Sequence, residues 1–348
     1  MEHEHISQKK ATYPINKPLI SYLEKYNRKL TNPVRYADLA RFDSAIALYD
    51  KHGKDSLWVT ALYSNYETQT LFDGLKSIYS LLKSGGDKSV HEHLHIERVD
   101  YCTFGNSNPF RIKIVNNYND VYDYFYIKKP DTSRVFGLEL EHILSPSRIN
   151  FFADESALVE EHIAGIPGDA FIENYLQNPD FNKKRIAKEF VKFNERCFVR
   201  LLGDMRSYNY VFDITPDFEE VQFRIRAIDF DQQSYEGRKN LYMPQFFKEN
   251  RSFVDLAQKH FNSEVIKQYQ SEEQTLIYRR ISGSKNRLQE LFAALKDDAL
   301  STSEKINQLK TELSTHFQTD ISHAATMPEI VKAMLNIILQ KHGSERLA

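Results

Sequence analysis

Three residues could do chemistry together: Asp204, Asn209 and Asp229. Asp204 and Asn209 lie five positions apart in Leu201-Leu202-Gly203-Asp204-Met205-Arg206-Ser207-Tyr208-Asn209, and Asp229-Phe230-Asp231 begins twenty positions after Asn209. Tyr210-Val211-Phe212 reads as a strand, and Phe223, Ile225 and Ala227 alternate into Asp229 as a second. A turn around Thr215-Pro216-Asp217 would join them as a hairpin and bring Asn209 beside Asp229. Oxygen-bearing side chains gathered at one end of a hairpin suit a hard cation such as Mg2+. That ion takes carboxylate and amide oxygens and commonly shares them with substrate phosphates.

The elements that must position these residues are legible upstream. Period-two alternation predicts strands over 95–101, 110–115 and 121–128, with a small-residue turn at Gly105-Asn106-Ser107-Asn108 between the first two. The third strand ends in Tyr126-Ile127-Lys128-Lys129, and alternation puts Tyr126 and Lys128 on one face. A helix follows from Ser133 to Leu144 and carries Glu139 and Glu141, about 200° apart around its axis. Strands over 149–152 and 157–163 lead into Gly165-Ile166-Pro167-Gly168. Phe181 to Phe198 has helical period and runs into the Asp204 loop. Beyond Asp231 the chain reads as helical, with starts at Ser252, Ser263, Ser284, Ser301 and Thr326.

D-x-x-x-x-N, an apolar strand and then D-F resemble the catalytic and metal loops of the protein-kinase-like fold. The form G-D-x-x-x-x-N with D-F-D is closer to its small-molecule branch, the aminoglycoside, choline and lipopolysaccharide-sugar kinases. The resemblance covers roughly residues 95–250. It departs at Leu202, where the family usually has His, and at Arg206, where it has Lys or His. It implies an ATP-dependent phosphotransferase with ATP and Mg2+ as cofactors. Asp204 would accept the proton of an acceptor hydroxyl, with Arg206 offsetting charge on the transferred group. Asn209 and Asp229 would hold Mg2+, with Asp231 at a second metal or structuring the loop. Gly105, Asn106 and Ser107 would form the phosphate-approaching turn, and backbone groups around Glu161 to Ile163 would meet the adenine. Lys128 would contact the phosphates. One helix glutamate, Glu139 in preference to Glu141, would orient it. The acceptor implied is a small hydroxyl compound, with a protein acceptor also compatible. The segment 232–250, with Met243-Pro244-Gln245 where protein kinases carry A-P-E, is short and favours a small acceptor.

The fold class expected is α+β, a two-lobed kinase-like fold with a helical N-terminal extension. The expected divisions are an extension over 1–90, a sheet-bearing lobe over 91–164 and a mainly helical lobe over 165–348. In the extension, Asn32-Pro33 is the expected start of a helix carrying Leu39, Phe42, Ile46 and Tyr49 and ending at Gly53, and a capping box at Ser64 and Glu67 starts another.

Composition sets outer limits. In 348 residues, 46 basic and 48 acidic side chains give a net charge of -2, which is no electrostatic footprint for nucleic acid. Cys102 and Cys197 are the two cysteines, so no disulfide framework is implied and a reducing cytoplasm is the expected location. No apolar run approaches a membrane span, and the first ten residues lack the apolar core of a signal peptide. Two other functions compete. His91-Glu92-His93-Leu94-His95 satisfies H-E-x-x-H, which on a helix would bind zinc with Glu92 as general base. Against it, the segment follows Gly85-Gly86 and runs into a strand, and no third ligand is identifiable. A kinase-like protein without catalysis, acting by binding, is the other. Leu202 and the single-glycine turn favour it, and the intact Asp204, Asn209 and Asp229 oppose it.

Overall fold

A computed structural model describes residues 10–31, 34–50, 52–104, 107–217, 221–343 and 345–347. The chain divides into two compact units. One comprises Ala11–Val135 and Ile149–His162, and the other comprises Phe136–Arg148 and Ile163 onward with Lys10.

The first unit is built on a sheet. Helix α1 (Lys17–Lys25) starts where the Asn16 side chain accepts the Leu19 N–H at 2.7 Å, with Pro18 in the first turn. Then come α2 (Tyr36–Leu39), β1 (Ser44–Tyr49), β2 (Asp55–Leu62), α3 (Asn65–Ser84), β3 (Leu94–Cys102), β4 (Phe110–Asn116), β5 (Val121–Lys128), α4 (Thr132–Leu144), β6 (Phe151–Ala153) and β7 (Leu158–Glu161). The seven strands form one antiparallel sheet in the order β1-β2-β3-β4-β5-β7-β6. Alternation puts Phe110, Ile112, Ile114, Phe125 and Ile127 on one face, where they pack with Leu71, Leu75, Ile78 and Leu82 of α3. Lys128 belongs to the opposite face.

The first ninety residues differ from the helical extension expected. Asn32 and Pro33, the expected start of a helix, lie outside the described residues. The chain is helical only over Tyr36–Leu39 and then becomes the β1–β2 hairpin. The Asp50 carboxylate accepts the N–H groups of His52 and Lys54 at 2.8 and 2.9 Å, and Gly53 takes a left-handed φ of 77°. A left-handed glycine ends helices and closes hairpins alike. The β-rich partner Ser56-Leu57-Trp58-Val59-Thr60 decides for the hairpin, because it supplies a strand to pair with. α3 does begin after Ser64, whose side chain makes no capping bond.

The second unit holds β8 (Ile166–Pro167), α5 (Gly168–Asn174), α6 (Lys183–Arg200), β9 (Tyr210–Thr215), β10 (Gln222–Ala227), α7 (Arg251–His260), α8 (Ser263–Gly283), α9 (Lys285–Ala294), α10 (Ser303–Phe317) and α11 (Met327–Lys341). Its sheet runs β10-β9-β8. An aromatic core seats this small sheet: Phe171 stacks on Phe212 with centroids 3.9 Å apart, and Phe253 lies 5.2 Å from Phe212. Long helix α6 is capped by Asn182, whose side chain accepts from the Lys184 and Arg185 N–H groups. The part of α4 from Phe136 onward is buried except at the half-buried His142, and charge pairs join it to the helices. Glu139 accepts from Arg287 through both carboxylate oxygens at 2.8 Å, and Glu141 pairs with Arg200.

Three antiparallel strands, a helix, two further strands of the same sheet, a long helix, a polar loop and a hairpin follow one another. The class is α+β. Among the described residues no helix is long and apolar enough to cross a membrane.

Candidate active site

The Asp204 loop begins where α6 ends. Leu201 takes a left-handed φ of 53° and is fully buried, and its carbonyl accepts the Ser234 N–H at 2.8 Å. Leu202 is buried and bridges Gln233. Gly203 donates its N–H to the Gln232 carbonyl at 3.2 Å, and Asp204 donates its own to the Leu241 carbonyl at 3.3 Å. The loop is therefore sewn by backbone bonds to the segment that follows Asp231. A Cβ at Gly203 would stand 2.9 Å from the Gln232 oxygen, so the close approach requires glycine. Gly203→Ala is expected to lower stability by about 1–3 kcal/mol, the usual range for overpacking, as a fall in the urea midpoint with m unchanged. An unaltered midpoint would show that the two segments are not so tightly apposed.

Asp204 also has a left-handed φ, 56°, a conformation that Asp tolerates better than most residues. Its carboxylate accepts from Arg206 Nε at 2.8 Å, and Arg206 Nη1 donates to Glu249 at 2.9 Å. Burial pushes the Asp204 carboxyl above its ordinary value, and the Arg206 hydrogen bond and charge pull it back only in part. A half-buried carboxylate of raised basicity is what a general base needs.

Asn209 is set by the same loop. Its Nδ2 donates to the Asp204 carbonyl at 2.7 Å, with the Asp204 carboxylate 3.5 Å away. This fixes the amide with nitrogen toward Asp204, and its Oδ1 makes no hydrogen bond among the described residues. β9 starts at the next residue. Tyr210 pairs with Ala227 at the open end of the hairpin, and the Ile228 N–H donates to the Asn209 carbonyl at 3.0 Å. The hairpin thus places Asn209 against the strand end leading into Asp229. Asp229 Oδ1 accepts the Asp231 N–H at 2.8 Å, closing a small turn around the fully buried Phe230. The Asn209 amide oxygen and the Asp229 carboxylate are both oxygen donors, of the kind that suits Mg2+ and not a soft ion. Among the described residues no three His, Cys, Asp or Glu side chains gather into a metal cluster.

Lys128 belongs to the other unit. It ends β5 almost fully buried, with Nζ donating to Glu160 of β7 at 2.8 Å. Glu161 follows in β7. Its amide donates to the Asn150 carbonyl, and its carboxylate accepts the Asn150 N–H at 2.8 Å. Ile163 is buried and opens the segment of the second unit that leads to β8. Ser107 is buried, and Gly105 and Asn106 lie outside the described residues. Of the helix glutamates, Glu141 pairs with Arg200 and Glu139 is gripped by Arg287. The H-E-x-x-H reading loses its helix. A short 3-10 turn ends at His93, and His95 lies in β3, where its Nδ1 is hydrogen-bonded to Asn117.

Three residues that motif reading does not single out shape the site. Glu249 holds Arg206. Asn250, fully buried, donates to the Met205 and Pro244 carbonyls at 2.8 and 2.7 Å and accepts from the Tyr210 hydroxyl at 2.6 Å. Glu160 holds Lys128, and its one sequence signal is a glutamate inside the apolar strand Ala157-Leu158-Val159. No local pattern marks Asn250, since its partners lie 45 and 40 residues upstream and six upstream.

No family model matches this chain, and no curated protein matches it. Among solved structures, the autoinhibited serine kinase domain of the giant muscle protein titin is similar at 13% identity over 71% of this chain and 94% of that one, with a TM-score of 0.27. At that score the likeness is too slight to bear on the site.

Proposed function

We propose that this chain is an ATP-dependent phosphotransferase of the small-molecule branch of the kinase-like fold, acting on a hydroxyl acceptor. The observation that carries the reading is the Asp204–Asn209 pair. One backbone turn holds a carboxylate of raised basicity and directs an amide so that its oxygen is left for a cation at the hairpin end that leads to Asp229. Asp204 takes the proton of the acceptor hydroxyl as its oxygen bonds to phosphorus and ADP departs. Asn209 and Asp229 would hold Mg2+, with Asp231 beside them, and Mg2+ when bound supplies neutralisation of phosphate charge. Lys128 contacts the nucleotide phosphates, and Glu139 lies on the helix that follows it. Backbone groups from Glu161 to Ile163 meet the base. Arg206 stands ready to move its charge from Asp204 to the transferred group. The tight backbone ties of 232–243 to the Asp204 loop favour a small acceptor over an extended polypeptide.

One observation favours a second reading, a kinase-like binding protein without turnover: Arg206 occupies the Asp204 carboxylate. Thermal unfolding separates both from unrelated functions. Millimolar Mg-ATP is expected to raise Tm, because a ligand of the folded state stabilises it by about 2.7 kcal/mol at a hundred times Kd. Asp229→Ala is expected to lose the part of that shift that depends on Mg2+. An unmoved wild-type Tm, with no heat of binding in calorimetry, would defeat both readings.

A further inference from the structure

Glu160 and Lys128 form an ion pair inside the sheet unit, with both side chains more than nine-tenths buried. Only one glutamate oxygen is used. Oε2 accepts from Lys128 Nζ, while Oε1 is buried with no hydrogen-bond partner. Leaving a carboxylate oxygen buried and unsatisfied is unfavourable, and such atoms are rare in folded proteins. The oxygen sits on a defined face. Glu160 is directly opposite Tyr126 in the β5–β7 register, and the Tyr126 hydroxyl lies 3.2 Å from His162 Nδ1. Burial also pushes the Tyr126 hydroxyl up and the His162 ring down, and Arg111 of β4 lies opposite Tyr126 in the β4–β5 register.

We propose that Glu160 has two tasks: Oε2 fixes the ammonium of Lys128, and Oε1 accepts a hydrogen bond from an amino group on the base of the nucleotide that Lys128 binds. The second task rests on the phosphotransferase reading above, and the first does not. Glu160 is then a positioning residue for the lysine and a specificity residue for an amino-substituted purine.

Labelling of Lys128 by an amine-directed acylating reagent, read by mass spectrometry on the folded full-length chain, tests each task. Without nucleotide, Glu160→Gln is expected to speed Lys128 labelling about fivefold or more, because a buried ion pair no longer restrains the amine. Glu161→Gln, one residue on, is expected to change it less than twofold. Equal rates for the wild type and Glu160→Gln would overturn the first task. Next, ATP and purine riboside triphosphate, which lacks the 6-amino group, are compared as protectants. In the wild type ATP is expected to protect at about tenfold lower concentration, the usual scale of one hydrogen bond to a charged group. In Glu160→Gln that ratio is expected to shrink severalfold. Equal protection by both nucleotides in the wild type would overturn the second task. A Glu160→Gln effect on labelling with no protection by either nucleotide would leave the lysine pairing standing and refute the phosphotransferase reading beneath the second task.

Discussion

Asp204→Asn is expected to lower turnover by about 10²–10⁴-fold while nucleotide affinity stays within a few-fold of wild type. The variant keeps the size of the side chain and one acceptor oxygen for Arg206 Nε, so the loop geometry survives. It loses the negative charge and the site that takes a proton. Burial raises the Asp204 carboxyl, so the base form gives way at a higher pH than it would in an unperturbed aspartate. The sign follows directly. Protonation removes the base, so the wild-type rate falls as pH drops through the raised value, and this acidic limb disappears in Asp204→Asn. The same shift disfavours the ionised folded form, so Asp204 contributes stability at low pH that is lost as pH rises through its folded value. Slow ATP hydrolysis gives the rates and titration calorimetry the affinities. If the variant keeps most of the wild-type rate, the kinase-like alignment of this loop is wrong.

The second large effect concerns stability. Arg200 is the last residue of α6 and pairs, fully buried, with Glu141 of α4. Arg200→Leu removes the cation and leaves a buried carboxylate, which typically costs about 3–5 kcal/mol. Urea unfolding is expected to show that loss. The double change Glu141→Leu with Arg200→Leu is expected to recover a substantial part of it, since no uncompensated charge remains. A single variant within about 0.5 kcal/mol of wild type, the range of ordinary surface changes, would show that the pair is solvated. Arg200 directly precedes Leu201, so the same variant is expected to slow turnover by loosening the loop that carries Asp204.

The parts legible in the sequence are those set by local pattern. Alternation places β3, β4 and β5 within a residue or so of their observed ends, and the Thr326–Glu329 start of α11 is a working cap, with the Glu329 N–H on Thr326 Oγ1 at 3.3 Å. The hairpin that carries Asn209 toward Asp229 also follows from alternation, and its register matches that expectation. What local pattern misses depends on partners distant in the chain. Ile46 and Tyr49 fit a helical period as well as a strand, and only pairing with β2 selects the strand. Glu160 reads as one of two consecutive glutamates until the register places it opposite Tyr126, within reach of Lys128. Asn250 has no motif at all, although it ties Met205 of the Asp204 loop to the start of α7.

Phosphorus NMR of Mg-ATP incubated with the full-length chain and candidate hydroxyl compounds tests the central claim most directly. The wild type is expected to convert ATP to ADP, with the γ-phosphate signal moving to inorganic phosphate or to a phosphate ester. Asp229→Ala, folded by circular dichroism, is expected to leave the ATP signals intact over the same period. Conversion at equal rates by both proteins would contradict the account, because the carboxylate proposed to hold the metal would then have no part in the transfer.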